Sequence, residues 1–394
     1  MNRLCYRKLI KIIGLTILYL FILITYCCQK TSDNESVVGN RLFIAHRGVN
    51  MGCTIACENS LEAVRLAKRA GFQTVETDVR LTADSVMIVM HDETLNRTCL
   101  TINGTELTEK VFVAEVTMEE IDSNYILKAT EPDNRTNIPT LKEFLVECKK
   151  QGILPFIEPK IYDETGKHYK NIIDLADEVM GKNNYIITSN NRANIVIREL
   201  GLNDVPLMGI LYQTTFEEIE SLGNIIMAIS TSQFTLKDYE FFVNKAKESG
   251  FETESHADNF DRFAMINNNE IDYISTDFLA PDIKDNSLLL IDYKSFEEFD
   301  YSGKLADGAI QLSADDVLTI TEKLPEVYFG GIYLELEING NCDVVLANQK
   351  FTIENSETES YKHQLMLYNS TPFFSITAKD KCEISNVRLR LAEF

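Results

Sequence analysis

From Arg41 to about Lys284, short apolar runs alternate with longer stretches whose apolar positions recur every three or four residues. The short runs are Leu42–Ala45, Thr74–Val79, Val86–Met90, Gly152–Ile157, Tyr185–Thr188, Val205–Leu211, Ile225–Ile229, Phe251–Glu254 and Ile271–Ser275. Runs of this length, bounded by turn formers, predict buried strands. The stretches between them predict helices. One opens at Asn59 as N-cap, with Glu62 three residues on, and carries Leu61, Val64 and Ala67 on one face. Others span His168–Met180, the residues after Asn190 up to Leu200, Leu236–Ser249 and Asp258–Asn267. Alternation of this kind predicts an α/β fold. The strand candidates exceed the eight of a closed barrel by one, and the link between the second and third, RLTADS, is too short for a crossover helix. The expected architecture is an imperfect (β/α)8 TIM barrel over residues 41–285, one unit lacking its helix, with a small polar insertion at 99–137.

After residue 285 the pattern changes to short alternating runs such as VLTITE, VYFGGIYLELEI and ISNVRLRLAEF, separated by Gly, Asn, Asp and Lys clusters. Regular short strands with turn signals predict a β-sandwich over 286–394. Its layout is like that of carbohydrate-binding jelly rolls, and its Tyr and Phe side chains make a carbohydrate a candidate partner, although most aromatics of a sandwich form its core.

The N-terminus follows neither pattern. Arg3, Arg7, Lys8 and Lys11 precede an apolar run from Ile12 to Tyr26 that ends in Cys27 and Cys28. A basic segment followed by an apolar one reads as an export signal over residues 1–30. The cysteines resemble the lipidation site of a bacterial lipoprotein, and residues 31–40 read as a polar linker. The expectation is an exported, cell-envelope protein held to the membrane by an N-terminal lipid. Export permits disulfides. One bridge is expected between Cys342 and Cys382, and another within a pair among Cys53, Cys57 and Cys99. No CxxC pairs at matching spacing support a cysteine zinc site. The formal net charge of −22 excludes a nucleic-acid partner, which needs clustered Lys and Arg.

The candidate chemistry lies between Phe43 and Thr98. His46 and His91, two of the chain's five histidines, each follow a short apolar run. Glu76 and Asp78 alternate with Val75, Thr77 and Val79, so both carboxylates share one face of a strand. Two imidazoles beside paired carboxylates suit proton transfer next to a hard cation.

These residues sit in motifs that resemble the glycerophosphodiester phosphodiesterase family. They are His46-Arg47-Gly48, Glu58-Asn59-Ser60, Glu76-x-Asp78, His91-Asp92, Leu95-x-Arg97-Thr98, Glu158-x-Lys160 and Thr276-Asp277, in the family's order. The resemblance covers residues 41 to 285. It implies metal-dependent hydrolysis of a glycerophosphodiester substrate to glycerol 3-phosphate and an alcohol. Glu76, Asp78 and Glu158 would hold a divalent cation, Ca²⁺ or Mg²⁺, through oxygen ligands. His46 is assigned the base and His91 the acid, with the order of the roles open. Arg47 and Lys160 are phosphate-binding candidates, and Glu58 a further substrate or metal contact. Asp92 and Arg97 are expected to buttress the site. The chain departs from the family at Cys57, where a proline is usual, at Glu254-Ser255-His256, at Asp84-Ser85 and in the FLAP that follows Asp277. His256 is left outside the candidate set. The alternatives are phospholipase-type cleavage of lipid or glycan phosphodiesters, and a non-catalytic surface glycan-binding protein whose barrel is a scaffold.

Overall fold

The structure, a computed structural model, describes residues 42–50, 52–211, 215–267, 269–283 and 287–394. The expected signal segment and linker lie outside the described residues. Among those residues no helix is long and apolar enough to cross a membrane.

Eight parallel strands close into a barrel. In chain order they are β1 (Leu42–Ala45), β2 (Thr74–Leu81), β6 (Leu154–Pro159), β7 (Ile186–Ser189), β8 (Leu207–Ile210), β9 (Ile225–Ala228), β10 (Thr253–Ala257) and β11 (Tyr273–Thr276). Each pairs with the next, and β1 closes the ring by pairing with both β11 and β2. The crossover helices are α1 (Leu61–Arg69), α3 (Leu141–Gln151), α4 (Lys167–Val179), α5 (Asn191–Glu199), α6 (Phe216–Glu220), α7 (Leu236–Glu248) and α8 (Phe260–Asn267).

The ninth strand candidate is not a barrel member. β3 (Met87–Val89) runs antiparallel to the far end of β2, with Val79 opposite Val89. RLTADS therefore completes β2 and makes the hairpin turn, and needs no helix; the crossover to β6 comes later, through α3. Ser85 takes φ +64° in that turn, a left-handed conformation that favours glycine. The insertion at 99–137 is ordered. A hairpin of β4 (Cys99–Thr101) and β5 (Tyr125–Leu127), with α2 (Met118–Asn124) before β5, encloses a small core that includes Cys57, Met90, Leu95, Val113 and Ile121. Its apolar positions are too scattered along a polar sequence to show a period, and only the folded chain collects them.

Inside the barrel, Ile44, Phe156, Ile186, Met208, Ile226 and Tyr273 fill the lumen, and the Phe156 and Tyr273 rings meet edge to face at 5.6 Å. Successive side chains of a strand alternate in direction. Two residues above Ile44 comes His46, two above Phe156 comes Glu158, and four above Tyr273 comes Asp277. The inward face thus turns from apolar to charged at the C-terminal mouth, where barrels of this type carry their chemistry.

The C-terminal region forms two antiparallel sheets. One joins β14 (Lys304–Ala306), β15 (Ala309–Leu312), β22 (Cys382–Glu393), β17 (Val327–Asn339) and β20 (Glu359–Ser370), with β12 (Leu288–Tyr293) also on β22. The other joins β13 (Phe299–Tyr301), β16 (Val317–Ile320), β21 (Phe374–Ala378), β18 (Asn341–Leu346) and β19 (Gln349–Glu354). This region is docked on the barrel rather than tethered to it. The Met366 N–H donates to the Phe278 carbonyl at 2.8 Å, the Tyr333 hydroxyl to the Pro281 carbonyl at 2.6 Å, and Lys362 pairs with Asp282 at 2.6 Å. Phe260 of α8 packs on Phe278 and on Phe351 of β19, so one apolar core runs from barrel to sheets.

Among the described residues a disulfide joins Cys53 and Cys57. Cys342 and Cys382, expected to form a bridge, are buried free thiols, one on β18 and the other on β22.

Candidate active site

The loop after β1 opens the site. Gly48 has φ +76°, and a Cβ there would lie 2.6 Å from that of Ala63, so α1 packs directly on the loop backbone. That close approach seats the start of α1 over β2. Arg47 is itself left-handed, at φ +57°, and its backbone N–H donates to Glu76 Oε2 at 3.1 Å.

Glu76, Asp78 and Glu158 converge, each offering an oxygen within 4.8 Å of the others. Glu76 is buried, and its Oε1 has no hydrogen-bond partner. Burial first, and then the Asp78 and Glu158 charges, push the Glu76 carboxyl well above the usual carboxylate range. Three oxygens crowded together, one of them buried without a donor, are what a hard divalent cation would relieve. The donor set fits Ca²⁺ or Mg²⁺ without choosing between them.

The cationic candidates flank this trio. Lys160 donates to Glu158 Oε1 at 2.6 Å and stands 3.3 Å from Asp78. Burial works against its charge, but Glu158 and Asp78 outweigh that and raise its pKa. Arg47 Nε lies 3.3 Å from Asp78 Oδ2 without an aligned hydrogen bond, and its Nη1 donates to Glu58 at 3.2 Å. Glu58 is not in the cation trio. It is clamped by both terminal nitrogens of Arg97 at 2.7 Å, which places it between two guanidinium groups.

Each histidine is anchored through Nδ1 by an aspartate. His46 Nδ1 lies 2.8 Å from Asp277 Oδ1, and its Nε2 faces Glu76 Oε2 at 3.9 Å. His91 Nδ1 lies 2.7 Å from Asp92 Oδ1, and Asp92 is gripped in turn by Arg97 through Nε and Nη2. The Arg97 hydrogen bonds hold Asp92 far below the ordinary carboxylate range. In both cases the carboxylate holds Nδ1 and leaves Nε2 as the nitrogen free to exchange a proton. His91 reaches the mouth on the returning arm of the β2–β3 hairpin, not at the end of a barrel strand as expected. Arg80 fixes that return by donating to the His91 carbonyl at 2.7 Å.

Three contributors were not foreseen. Asn59 is not the helix cap; Ser60 caps α1 by accepting from the Ala63 N–H at 3.0 Å. Asn59, at φ +59°, instead donates to Asp78 Oδ2 at 2.9 Å and accepts from Thr77 Oγ1 at 2.9 Å. It holds one carboxylate of the trio in place. Asp277, read only as part of a motif, is the His46 anchor. His256 lies beside them, its ring 4.9 Å from that of His46 and its Nε2 4.0 Å from Asp277 Oδ2. Burial, then the neighbouring His46, lower its pKa to about 4. The signal available for His256 was its place two residues above Glu254 on an inward strand face.

Fold and site together define a (β/α)8-barrel protein whose mouth couples a cation-ready carboxylate trio to two aspartate-anchored imidazoles. The model of the glycerophosphoryl diester phosphodiesterase family matches residues 46–277, more than half of the chain, and the chain belongs to that family. It is 38% identical over 130 residues to glycerophosphodiester phosphodiesterase 1 of Mus musculus, a stretch covering 33% of this chain and 37% of that protein. It is 37% identical over 133 residues to the glycerophosphodiester phosphodiesterase of Caldanaerobacter subterraneus subsp. tengcongensis, covering 30% of this chain and 50% of that one. The chain thus spans between about a third and a half of the length of these relatives. A solved structure from Silicibacter pomeroyi DSS-3, assigned as a glycerophosphoryl diester phosphodiesterase, aligns with a TM-score of 0.51 at 20% identity, over 60% of this chain and 90% of that one. At that identity the likeness bears on the barrel fold alone.

Proposed function

We propose that this protein hydrolyses glycerophosphodiesters to glycerol 3-phosphate and an alcohol by histidine acid–base catalysis beside a divalent cation. The observation that carries the reading is the convergence of Glu76, Asp78 and Glu158 next to His46, whose Nε2 stands 3.9 Å from Glu76. Glu76, Asp78 and Glu158 would hold the cation, Ca²⁺ or Mg²⁺, which would supply charge neutralisation for the phosphoryl oxygens. Arg47 and Lys160 add positive charge for the same oxygens, Arg47 as a planar fork and Lys160 as a point charge. His46 accepts the nucleophile's proton at Nε2, while Asp277 fixes its tautomer and favours the imidazolium that forms. His91, anchored by Asp92, gives a proton to the leaving alkoxide. The Arg97 bridge from Asp92 to Glu58 keeps the His91 arm and the Arg47 loop in one register.

The residue 1–30 pattern supports export and anchoring of this activity at the cell envelope. Tyr328 and Phe373 of the C-terminal region are half exposed, and rings of this kind are what a carbohydrate would stack on.

The test is release of glycerol 3-phosphate from glycerophosphocholine and glycerophosphoethanolamine. The wild type should turn over, chelation should abolish turnover, and His91→Ala should lose roughly 10²–10⁴-fold in kcat with its fold intact by circular dichroism. Equal turnover by His91→Ala refutes the assignment. Preference for a lysophospholipid over both substrates would point to the phospholipase-type reading instead.

A further inference from the structure

Among the described residues the carboxylate trio is one of two clusters of metal-ligating side chains at the mouth. His46, His256 and Asp277 form the other, each offering one donor atom within 4.8 Å of the rest. They come from the ends of three adjacent barrel strands, β1, β10 and β11, whose backbones are hydrogen-bonded in register. The donors therefore sit on a rigid rim rather than on a loop.

Their chemistry differs from that of the trio. Glu76, Asp78 and Glu158 present oxygen alone, which suits Ca²⁺ or Mg²⁺. Two imidazoles and one carboxylate suit a borderline cation of the zinc class, which alkaline-earth ions do not match. Tetrahedral zinc with bonds of about 2.0–2.1 Å spaces its donors by about 3.3 Å. The observed separations straddle that value. His46 Nδ1 is 2.8 Å from Asp277 Oδ1, and His256 Nε2 is 4.0 Å from Asp277 Oδ2. His256 is also held as a ligand should be. Its Nδ1 lies 3.2 Å from the Ser275 hydroxyl, and a proton given there leaves an Nε2 lone pair directed at the cluster. All three side chains retain some solvent access, so an ion has an entry path and an outer position for water.

We propose that His46, His256 and Asp277 form a second cation site, selective for zinc-class divalent ions, whose filling withdraws His46 from acid–base work. Binding through the His46 Nδ1 lone pair displaces the hydrogen bond to Asp277 and requires the tautomer whose proton sits on Nε2. Nε2 then has no lone pair with which to accept the nucleophile's proton. The protein thus carries an activating hard-ion site and an inhibitory zinc-class site side by side, joined by the contact of His46 with Glu76. The binding half stands on the cluster alone; the inhibitory half rests on the diesterase reading.

The experiment uses untagged full-length protein in millimolar Ca²⁺ or Mg²⁺, so that the oxygen trio is filled. Zinc is titrated by calorimetry, and Co²⁺ is added as a spectroscopic substitute whose visible bands report low-coordinate nitrogen ligation. One zinc per chain is expected, weakened at least roughly tenfold in both His256→Gln and Asp277→Asn. The two variants differ in their risk of misfolding, which melting curves check. No zinc uptake, or uptake equally tight in His256→Gln, overturns the site. The second measurement is glycerophosphocholine turnover with rising zinc. It should fall in the wild type over the range of the calorimetric titration, with His256→Gln needing more zinc for the same fractional loss. Occupancy without loss of turnover overturns the inhibitory half. Absence of any turnover before zinc is added counts against the diesterase reading, while the calorimetry still decides the site.

Discussion

Glu254 offers a quantitative test of how the barrel lumen is built. It lies two residues below His256 on the inward face of β10 and is buried. Among the described residues no cation is paired with it, and the Ser275 backbone N–H favours its charge. Burial pushes its carboxyl up to about 8, from an ordinary 4.5. Between those two values the folded protein keeps a proton that the unfolded chain has released. Stability therefore falls as pH rises through the window, by up to ~1.4 kcal/mol per pH unit. Below about 4.5 both states are protonated, and above about 8 both are ionised, so the loss is confined between them. The accumulated cost is about 1 kcal/mol at pH 5, about 3 at pH 6.5 and about 4 at pH 7.5. Glu254→Gln keeps the shape and removes the titration. Its unfolding free energy, measured by urea denaturation, should exceed that of the wild type by an amount that grows over this series. A difference that stays constant with pH, or a variant less stable at pH 7.5, would show that Glu254 is solvated or paired in solution and that the lumen is not as dry as the packing implies.

Two further outcomes bear on the site. Asn59→Ala should weaken affinity for Ca²⁺ or Mg²⁺ roughly 10- to 100-fold, because Asp78 loses the amide that orients it; calorimetry on the folded variant checks this, and unchanged affinity refutes the role. Asp277→Asn should lower kcat more than it changes KM, by roughly 10- to 100-fold, since an amide holds the His46 tautomer less firmly and no longer favours the charged ring. An unaltered kcat with a raised KM would instead make Asp277 a substrate contact.

Much of the site could be read from residue order. The alternation in Val75–Val79 places Glu76 and Asp78 on one face whatever the rest of the chain does, because the two-residue period is a property of the extended backbone. The apolar runs before His46 and Glu158 likewise locate strand ends. What local pattern cannot supply is direction and partnership. Val86–Met90 has the look of a barrel strand, and only pairing with β2 decides that it runs backwards and brings His91 to the rim. Asn59 and Ser60 are both good helix caps in isolation; the backbone that Gly48 and Arg47 impose assigns the cap to Ser60 and frees Asn59 for Asp78. The meeting of His46 with Asp277 spans 231 residues and exists because β1 and β11 close the ring. Sequence alone thus determined which side chains are available and which face each takes on its own strand. Tertiary structure decided which of them touch, because ring closure, the hairpin return and the docking of the C-terminal sheets on residues 278–282 are long-range contacts with no local signature.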